Sequence, residues 1–255
     1  MAGAAADPDR PSPARMYDYS LGGTDNFPVD RAAVEAVGEI VPEFRLVGLA
    51  NRGFLVRAVE TMAGLGIDQF IDIGSGIPTS PNVHEVAQRV RTGARIVYVD
   101  NDPVVQAHNR DQDRPGVLGL DADLYEPASV MDSPVVRAHL DFDRPIGLIF
   151  AAVLHFVRRD QAVDLVAQFR RALPAGSYLA ISAACVDGME APLVERLNAV
   201  YATATAPIVL RSEAEIEALF EGVDLLEPGL ADVTRWRHDG TPLPIRILSG
   251  VGKVS

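Results

Sequence analysis

The chain has 255 residues, 48% of them hydrophobic, enough to bury a full core in one large α/β domain with an appendage. Its 35 acidic residues against 23 basic ones give a formal net charge of −12, which argues against a protein that grips phosphate backbones, so no nucleic-acid partner is expected. The lone Cys185 allows neither an intrachain disulfide nor a thiolate metal cluster, and reads as a small buried residue at a strand end.

Residues 1–14, rich in Ala, Pro and Asp, lack the basic start and apolar core of a signal peptide and read as a disordered leader. No apolar stretch approaches the roughly 20 residues needed to cross a bilayer, so a cytoplasmic protein without a membrane partner is expected. Residues 15–66 read as a helical cap that opens with a loop from Arg15 to Phe27. One helix starts near Asp30; a second carries Leu55, Ala58, Val59 and Met62 on one face and ends at Gly64 and Gly66. From 67 to about 184, strands (68–73, 95–99, 116–121, 146–151, 177–184) alternate with helices (81–92, 103–112, 160–172). That alternation predicts a parallel sheet with helices on both faces. The interval 126–140 reads as one broken helix. Leu193, Leu197, Val200 and Tyr201 mark a later helix, and Ser212 to Glu215 forms a capping box ahead of Ile216, Leu219 and Phe220. Val223 to Glu227 and Pro244 to Val251 are predicted as two final strands, paired as a hairpin across a long connection through Trp236. Residues 67–255 thus make one domain beneath the cap.

Four features fall at strand ends in the order a nucleotide site requires. Within Phe70-Ile-Asp-Ile-Gly-Ser-Gly-Ile-Pro-Thr79, Asp72 lies between Ile71 and Ile73 near the carboxyl end of a buried strand, and Gly74 and Gly76 turn the backbone sharply and admit a bulky ligand to main-chain atoms. Ser80 and Pro81 read as N-cap and first residue of the next helix. Asp100 closes the second strand, where a carboxylate accepts from both ribose hydroxyls, although an acid there equally caps the helix after it. Asp121-Ala-Asp123-Leu124 offers an acceptor for an adenine amino group, with Asp121 read as a turn former. Phe150-Ala-Ala-Val-Leu-His155 leaves room beneath a ligand. Together they point to an adenosyl-type ligand. A dinucleotide site would want a third small residue near Thr79, which disfavours a nicotinamide-dependent oxidoreductase.

Asp-Ile-Gly-Ser-Gly-Ile-Pro-Thr, Val-Asp-Asn-Asp-Pro, Ala-Asp-Leu and Val-Leu-His-Phe resemble the successive motifs of class I S-adenosylmethionine-dependent methyltransferases. The stretch Ala14 to Phe27, with Leu173 to Ser182, Arg211 to Ile216 and Leu226 to Leu230, resembles an actinobacterial group of them long known as a domain of unknown function. The resemblance implies a Rossmann-like seven-stranded sheet with helices on both faces, an antiparallel final strand and S-adenosylmethionine as cofactor. It further implies that Asp72, Gly74, Ser75 and Gly76 belong to the cofactor site, that Asp100 holds the ribose with Asn101 beside the adenine, that Asp123 and Leu124 contact the adenine, and that Ala151 floors the site. Ser20 and the Ser182-Ala-Ala sequence depart from the family pattern and put the acceptor pocket in question.

Aromatic faces and oxygen atoms stabilise onium groups. The loop from Arg15 to Phe27 is therefore expected to lie over the cofactor, with Tyr17 and Asn26 touching it and Arg15 pairing its carboxylate, or else to pack Tyr17, Tyr19 and Phe27 on the sheet. His155 stands where an acceptor would approach: either a catalytic general base or a packed histidine bonded to a backbone carbonyl. Trp236 lines an acceptor pocket or covers the sheet edge. His84, His108, His139 and His238 show no metal-ligand spacing, and no metal is expected. The expected activity is methyl transfer to an oxygen or nitrogen of a small-molecule acceptor, with a cofactor-binding sensor lacking transfer activity as the alternative.

Overall fold

Short apolar runs become strands, the first two stopped by Gly74 and Asn101, and the longer periodic stretches become helices. The computed structural model describes residues 6–110 and 114–254. In chain order these form α1 (Pro13–Ser20), α2 (Pro28–Ile40), α3 (Phe44–Gly64), β1 (Gln69–Ile73), α4 (Val83–Val90), β2 (Arg95–Asp100), α5 (Pro103–Arg110), β3 (Val117–Asp121), α6 (Pro127–Met131), α7 (Pro134–His139) and β4 (Gly147–Ala151). The C-terminal part adds α8 (Ala162–Arg171), β5 (Tyr178–Cys185), α9 (Ala191–Tyr201), α10 (Glu213–Glu217), β6 (Val223–Leu225), β7 (Ala231–Asp232) and β8 (Arg246–Val254).

The strands make one sheet in the order β3-β2-β1-β4-β5-β8-β6, with β7 annealed to β8. The first five are parallel, and β8 runs antiparallel to β5, β6 and β7. β1 is buried along its whole length, as a central strand covered on both faces must be. Alternate residues serve opposite cores. Phe70, Ile96 and Ala180 face α3 and α4, whereas Ile71, Val97 and Ile181 face the layer holding α8.

The expected seven-stranded sheet with an antiparallel last strand is present, with the two-residue β7 added. The segment 126–140 is two short helices, each opened by a proline, in place of one broken one. The helix predicted over 103–112 is followed to Arg110; positions 111 and 112 lie outside the described residues. Ser80 is not the N-cap of α4. The cap is Asn82, whose backbone N–H donates to Glu85 at 2.7 Å in a capping box, and the Ser80–Pro81 peptide is cis.

Two differences concern the N-terminus. Positions 1–5 of the expected leader lie outside the described residues, but order begins before residue 15. Pro11 and Ser12 are buried, Thr205 N–H donates to the Pro11 carbonyl at 2.8 Å, and Arg10 donates to the Ala204 carbonyl at 2.8 Å. The expected loop is helical over Pro13–Ser20, started by proline at N1 and held by contacts that sequence spacing does not reveal. Trp236 is wholly buried, edge-on to Phe54 with ring centroids 5.3 Å apart, so it is a core residue rather than part of an acceptor pocket.

Candidate functional site

The turn after β1 is pinned to its neighbour by its own backbone. Gly74 and Gly76 have φ of +67° and +66°, a region costly for any residue with a Cβ. The N–H groups of Gly74 and Ser75 both donate to the Val99 carbonyl, at 2.8 and 3.1 Å. Gly76 N–H donates to Asp100 Oδ2 at 2.8 Å, while Asp100 Oδ1 accepts from the N–H of Asp102 at 2.9 Å. One carboxylate therefore fastens the glycine turn and the start of α5. Burial raises the Asp100 pKa, and the backbone donors at Asp102 and Gly76 pull it back down.

Parallel register brings the other strand ends to the same edge, Asp100 opposite Asp121 and Ala151 opposite Ser182. Asp123 is exposed, with Oδ1 accepting from Tyr125 N–H at 2.9 Å; Leu124 and Ala151 are half-buried and Asn101 is exposed. Gly74, Ser75, Gly76, Asp100, Asn101, Asp123, Leu124 and Ala151 thus share the carboxyl edge, and the strand order reverses between β1 and β4, the switch point where α/β sheets bind ligands.

Behind the turn, on the α3 side, lies a cavity of about 20 Å³ lined by Arg52, Asp72, Ser75, Thr79, Tyr98 and Asn109, among others. Arg52 reaches it from α3, donating to the Thr79 and Pro81 carbonyls at 2.5 and 2.6 Å. Among the described residues, three buried polar atoms on this lining have no partner: Arg52 Nε, Ser75 Oγ and Asn109 Nδ2. Burial pushes the Asp72 carboxyl up to about 7, Arg52 opposing the rise and Asp100 adding to it. Among the described residues, no hydrogen bond reaches that carboxyl. Unmatched donors beside an unmatched buried acid are complementary to a zwitterion, and buried polar groups left unpaired are costly unless a ligand completes them. The methionyl end of S-adenosylmethionine is such a zwitterion, so the residues fit the cofactor the sequence implied.

The cap residues expected on the cofactor are engaged elsewhere. Arg15 is 1% exposed and paired through Nε to Asp30 at 2.7 Å, with Asp102 at 3.9 Å and the Arg10 carbonyl at 2.6 Å. Its guanidinium is spent inside the cap and is not free for a ligand carboxylate. Asn26 donates to Asp18 Oδ2 at 2.8 Å and accepts from Arg31 at 2.9 Å, closing the loop on itself. The Tyr17 hydroxyl donates to the Gly48 carbonyl and accepts from Asn51 Nδ2, both at 3.0 Å. The cap nevertheless crosses the site. Ser12 bonds Asp102, Asp25 meets His108 at 3.3 Å, and α2 packs on α9 at the far side.

His155 does not stand ready as a base. It is buried, its ring lies 4.6 Å from that of Phe156, and burial, with Arg211 beside it, pushes its pKa down to about 3. Nor is the imidazole bonded to a backbone carbonyl as the alternative expected. Among the described residues Nδ1 has no hydrogen-bond partner, and it is the backbone carbonyl of His155 that accepts from Val209 N–H at 2.7 Å. We expect His155→Phe to leave cofactor affinity within about twofold by calorimetry, since a similar volume is kept and an unpaired nitrogen is removed. A tenfold loss would return the imidazole to the site. Among the described residues, no group of three His, Cys, Asp or Glu side chains is placed to hold a metal, and no helix is long and apolar enough to cross a membrane.

Residues 1–253 match the S-adenosyl methyltransferase family. The chain belongs to it. A DUF574 family protein from Streptomyces avermitilis MA-4680 is 39% identical over 98% of this chain and 99% of its own, with a TM-score of 0.92. A candidate methyltransferase from Thermobifida fusca YX is 35% identical over 97% and 96%, with a TM-score of 0.90. Human N-acetylserotonin methyltransferase, solved with S-adenosylmethionine, shares the fold at 13% identity and a TM-score of 0.52, over 94% of this chain and 62% of its own. No curated protein sequence matches. The S-adenosyl methyltransferase thus carries residues at its cavity that sequence reading passed over: Arg52, Tyr98 and Asn109. Arg52 lies twenty residues before Asp72 in a helix of ordinary composition, and no spacing rule flags it.

Proposed function

We propose that this S-adenosylmethionine-dependent methyltransferase methylates an oxygen or nitrogen of a small-molecule acceptor, and that Arg52, Ser75 and Asp72 hold the methionyl end of the cofactor. The unmatched donors beside the buried Asp72 carry this reading. Arg52 and Ser75 would donate to the carboxylate, and Asp72 would take the ammonium. Gly74 and Gly76 give main-chain access, Asp100 would receive the ribose hydroxyls, and Asn101, Asp123 and Leu124 would border the adenine, with Ala151 beneath. When bound, the cofactor supplies an electrophilic methyl group on a sulfonium.

With His155 neutral and packed, the protein's part is alignment and exclusion of water, which suffices when the methyl donor is already activated. A small acceptor is favoured over a polymer on two grounds. The chain carries a net charge of −12, and the cap bridges the carboxyl edge from α5 to α9. Calorimetry with S-adenosylmethionine, S-adenosylhomocysteine and a nicotinamide dinucleotide tests the ligand class. Asp100→Asn is expected to weaken the adenosyl ligands by at least about tenfold, the loss of a charged acceptor for two hydroxyls. Preference for the dinucleotide, or equal binding by Asp100→Asn, would overturn the assignment.

A further inference from the structure

A directed chain of hydrogen bonds joins the cap to the turn after β4. Tyr17 O–H donates to the Gly48 carbonyl (3.0 Å), and Asn51 Nδ2 donates to the Tyr17 hydroxyl (3.0 Å). At the other end of the same amide, Ser182 Oγ–H donates to Asn51 Oδ1 (2.6 Å), and Ala152 N–H donates to Ser182 Oγ (2.9 Å). The bonds run in one consistent direction, with Nδ2 donating and Oδ1 accepting, so the Asn51 amide has a single orientation. Asn51 is 2% exposed and Ser182 fully buried.

The residue held by this chain is strained. Ala152 has φ of +56°, a left-handed conformation that a non-glycine residue adopts only at a cost in backbone strain. Ser182 restrains it twice, because its backbone carbonyl also accepts from Ala152 N–H at 3.1 Å. The residue before Ala152 is the expected floor of the cofactor site. The residue after it, Val153, lies so close to Gly74 that a Cβ there would sit 2.3 Å from Val153 Cγ2. The conformation of residue 152 therefore sets the seat of the glycine turn. Asn51 also neighbours Arg52, whose guanidinium grips the loop after that turn. One stretch of α3 thus fastens both loops of the crevice.

We infer that Asn51 and Ser182 are positioning residues: they hold Ala152 in its strained conformation and so shape the floor against which the cofactor binds. This rests on the reading of the crevice as the S-adenosylmethionine site. Ser182, which opens the Ser182-Ala-Ala sequence that departs from the family pattern, thereby gains a role outside the acceptor pocket.

The test is a double-mutant cycle of Ser182→Ala and Ala152→Gly in the full chain, read by calorimetry with S-adenosylmethionine and by thermal melts without it. Ser182→Ala is expected to weaken binding about tenfold, and Ala152→Gly, which needs no restraint to reach φ near +56°, to restore it to within about threefold. A merely structural serine would lower the melting temperature and leave affinity alone, and Ala152→Gly would not repair it. Unchanged affinity in Ser182→Ala, or independent effects of the two changes, overturns the inference. Should Ser182→Ala not fold, Tyr17→Phe removes only the far hydroxyl and is expected to weaken binding about threefold, with unchanged affinity counting against the inference. Absence of binding by the unaltered protein would instead sink the cofactor reading, and this inference with it.

Discussion

Gly74→Ala is expected to abolish measurable S-adenosylmethionine binding and to lower the melting temperature by roughly 5–15 °C. Two costs combine. At φ +67° an alanine is strained by about 1–2 kcal/mol. Its Cβ would also stand 2.3 Å from Val153 Cγ2 and 2.8 Å from Val153 Cβ, and overpacking of this kind costs about 1–3 kcal/mol. Val153 cannot retreat cheaply, because it is 8% exposed and belongs to the turn held through Ala152. The turn must move, and with it the N–H groups now anchored on Val99 and Asp100. Gly76→Ala is the control. Its φ is +66°, but nothing among the described residues lies within 4 Å of the added Cβ, so only the backbone part of the penalty applies. Equal losses of thermal stability in the two variants would show that Val153 does not set the position of the turn.

The sheet was legible from sequence because each of its first five strands is a short apolar run bounded by turn chemistry. Asp100 was legible for a related reason: it closes a strand that pairs beside the glycine turn, and its carboxylate accepts from Gly76 and Asp102 N–H. β7 was not, being two residues long and paired with Ser249 and Leu248 of β8. The cap shows a deeper limit. Arg15, Tyr17 and Asn26 have the polar and aromatic character of ligand-binding groups, yet the same character serves a small helical unit that must satisfy its own buried polar atoms. Asp30 at 0% exposure needs Arg15, and Asp18 needs Asn26. Composition does not distinguish these uses. Arg52 and Asn51 were missed, and Ser182 was noticed only as part of a departure from the family pattern, for the opposite reason. They sit inside a helix and a strand whose patterns are explained by packing alone, and only tertiary structure turns them toward the crevice.

Asp72→Asn is expected to make the apo protein more stable at pH 8 while weakening cofactor binding by about ten- to a hundredfold, the cost of removing a charged partner. In the folded chain the Asp72 carboxyl titrates at about 7, against an ordinary value of 3.8. Between those values the native state keeps a proton that the unfolded chain has released. The stability associated with this group therefore falls as pH rises from about 4 to about 7 and stays low above that. Asparagine removes the penalty, a gain on the order of 1–3 kcal/mol at pH 8 and none near pH 4. Arg52 does not lose its footing in the variant, because the Thr79 and Pro81 carbonyls still accept from it. If the ionised carboxylate receives the ammonium of the cofactor, affinity in the unaltered protein rises from pH 6 to pH 8. Binding at pH 6 then releases a proton, which calorimetry in two buffers of different ionisation enthalpy detects. Both pH effects should vanish in Asp72→Asn. A variant that binds as well as the parent and is less stable at pH 8 would make Asp72 a structural partner of Arg52, and the zwitterion reading of the cavity would fail.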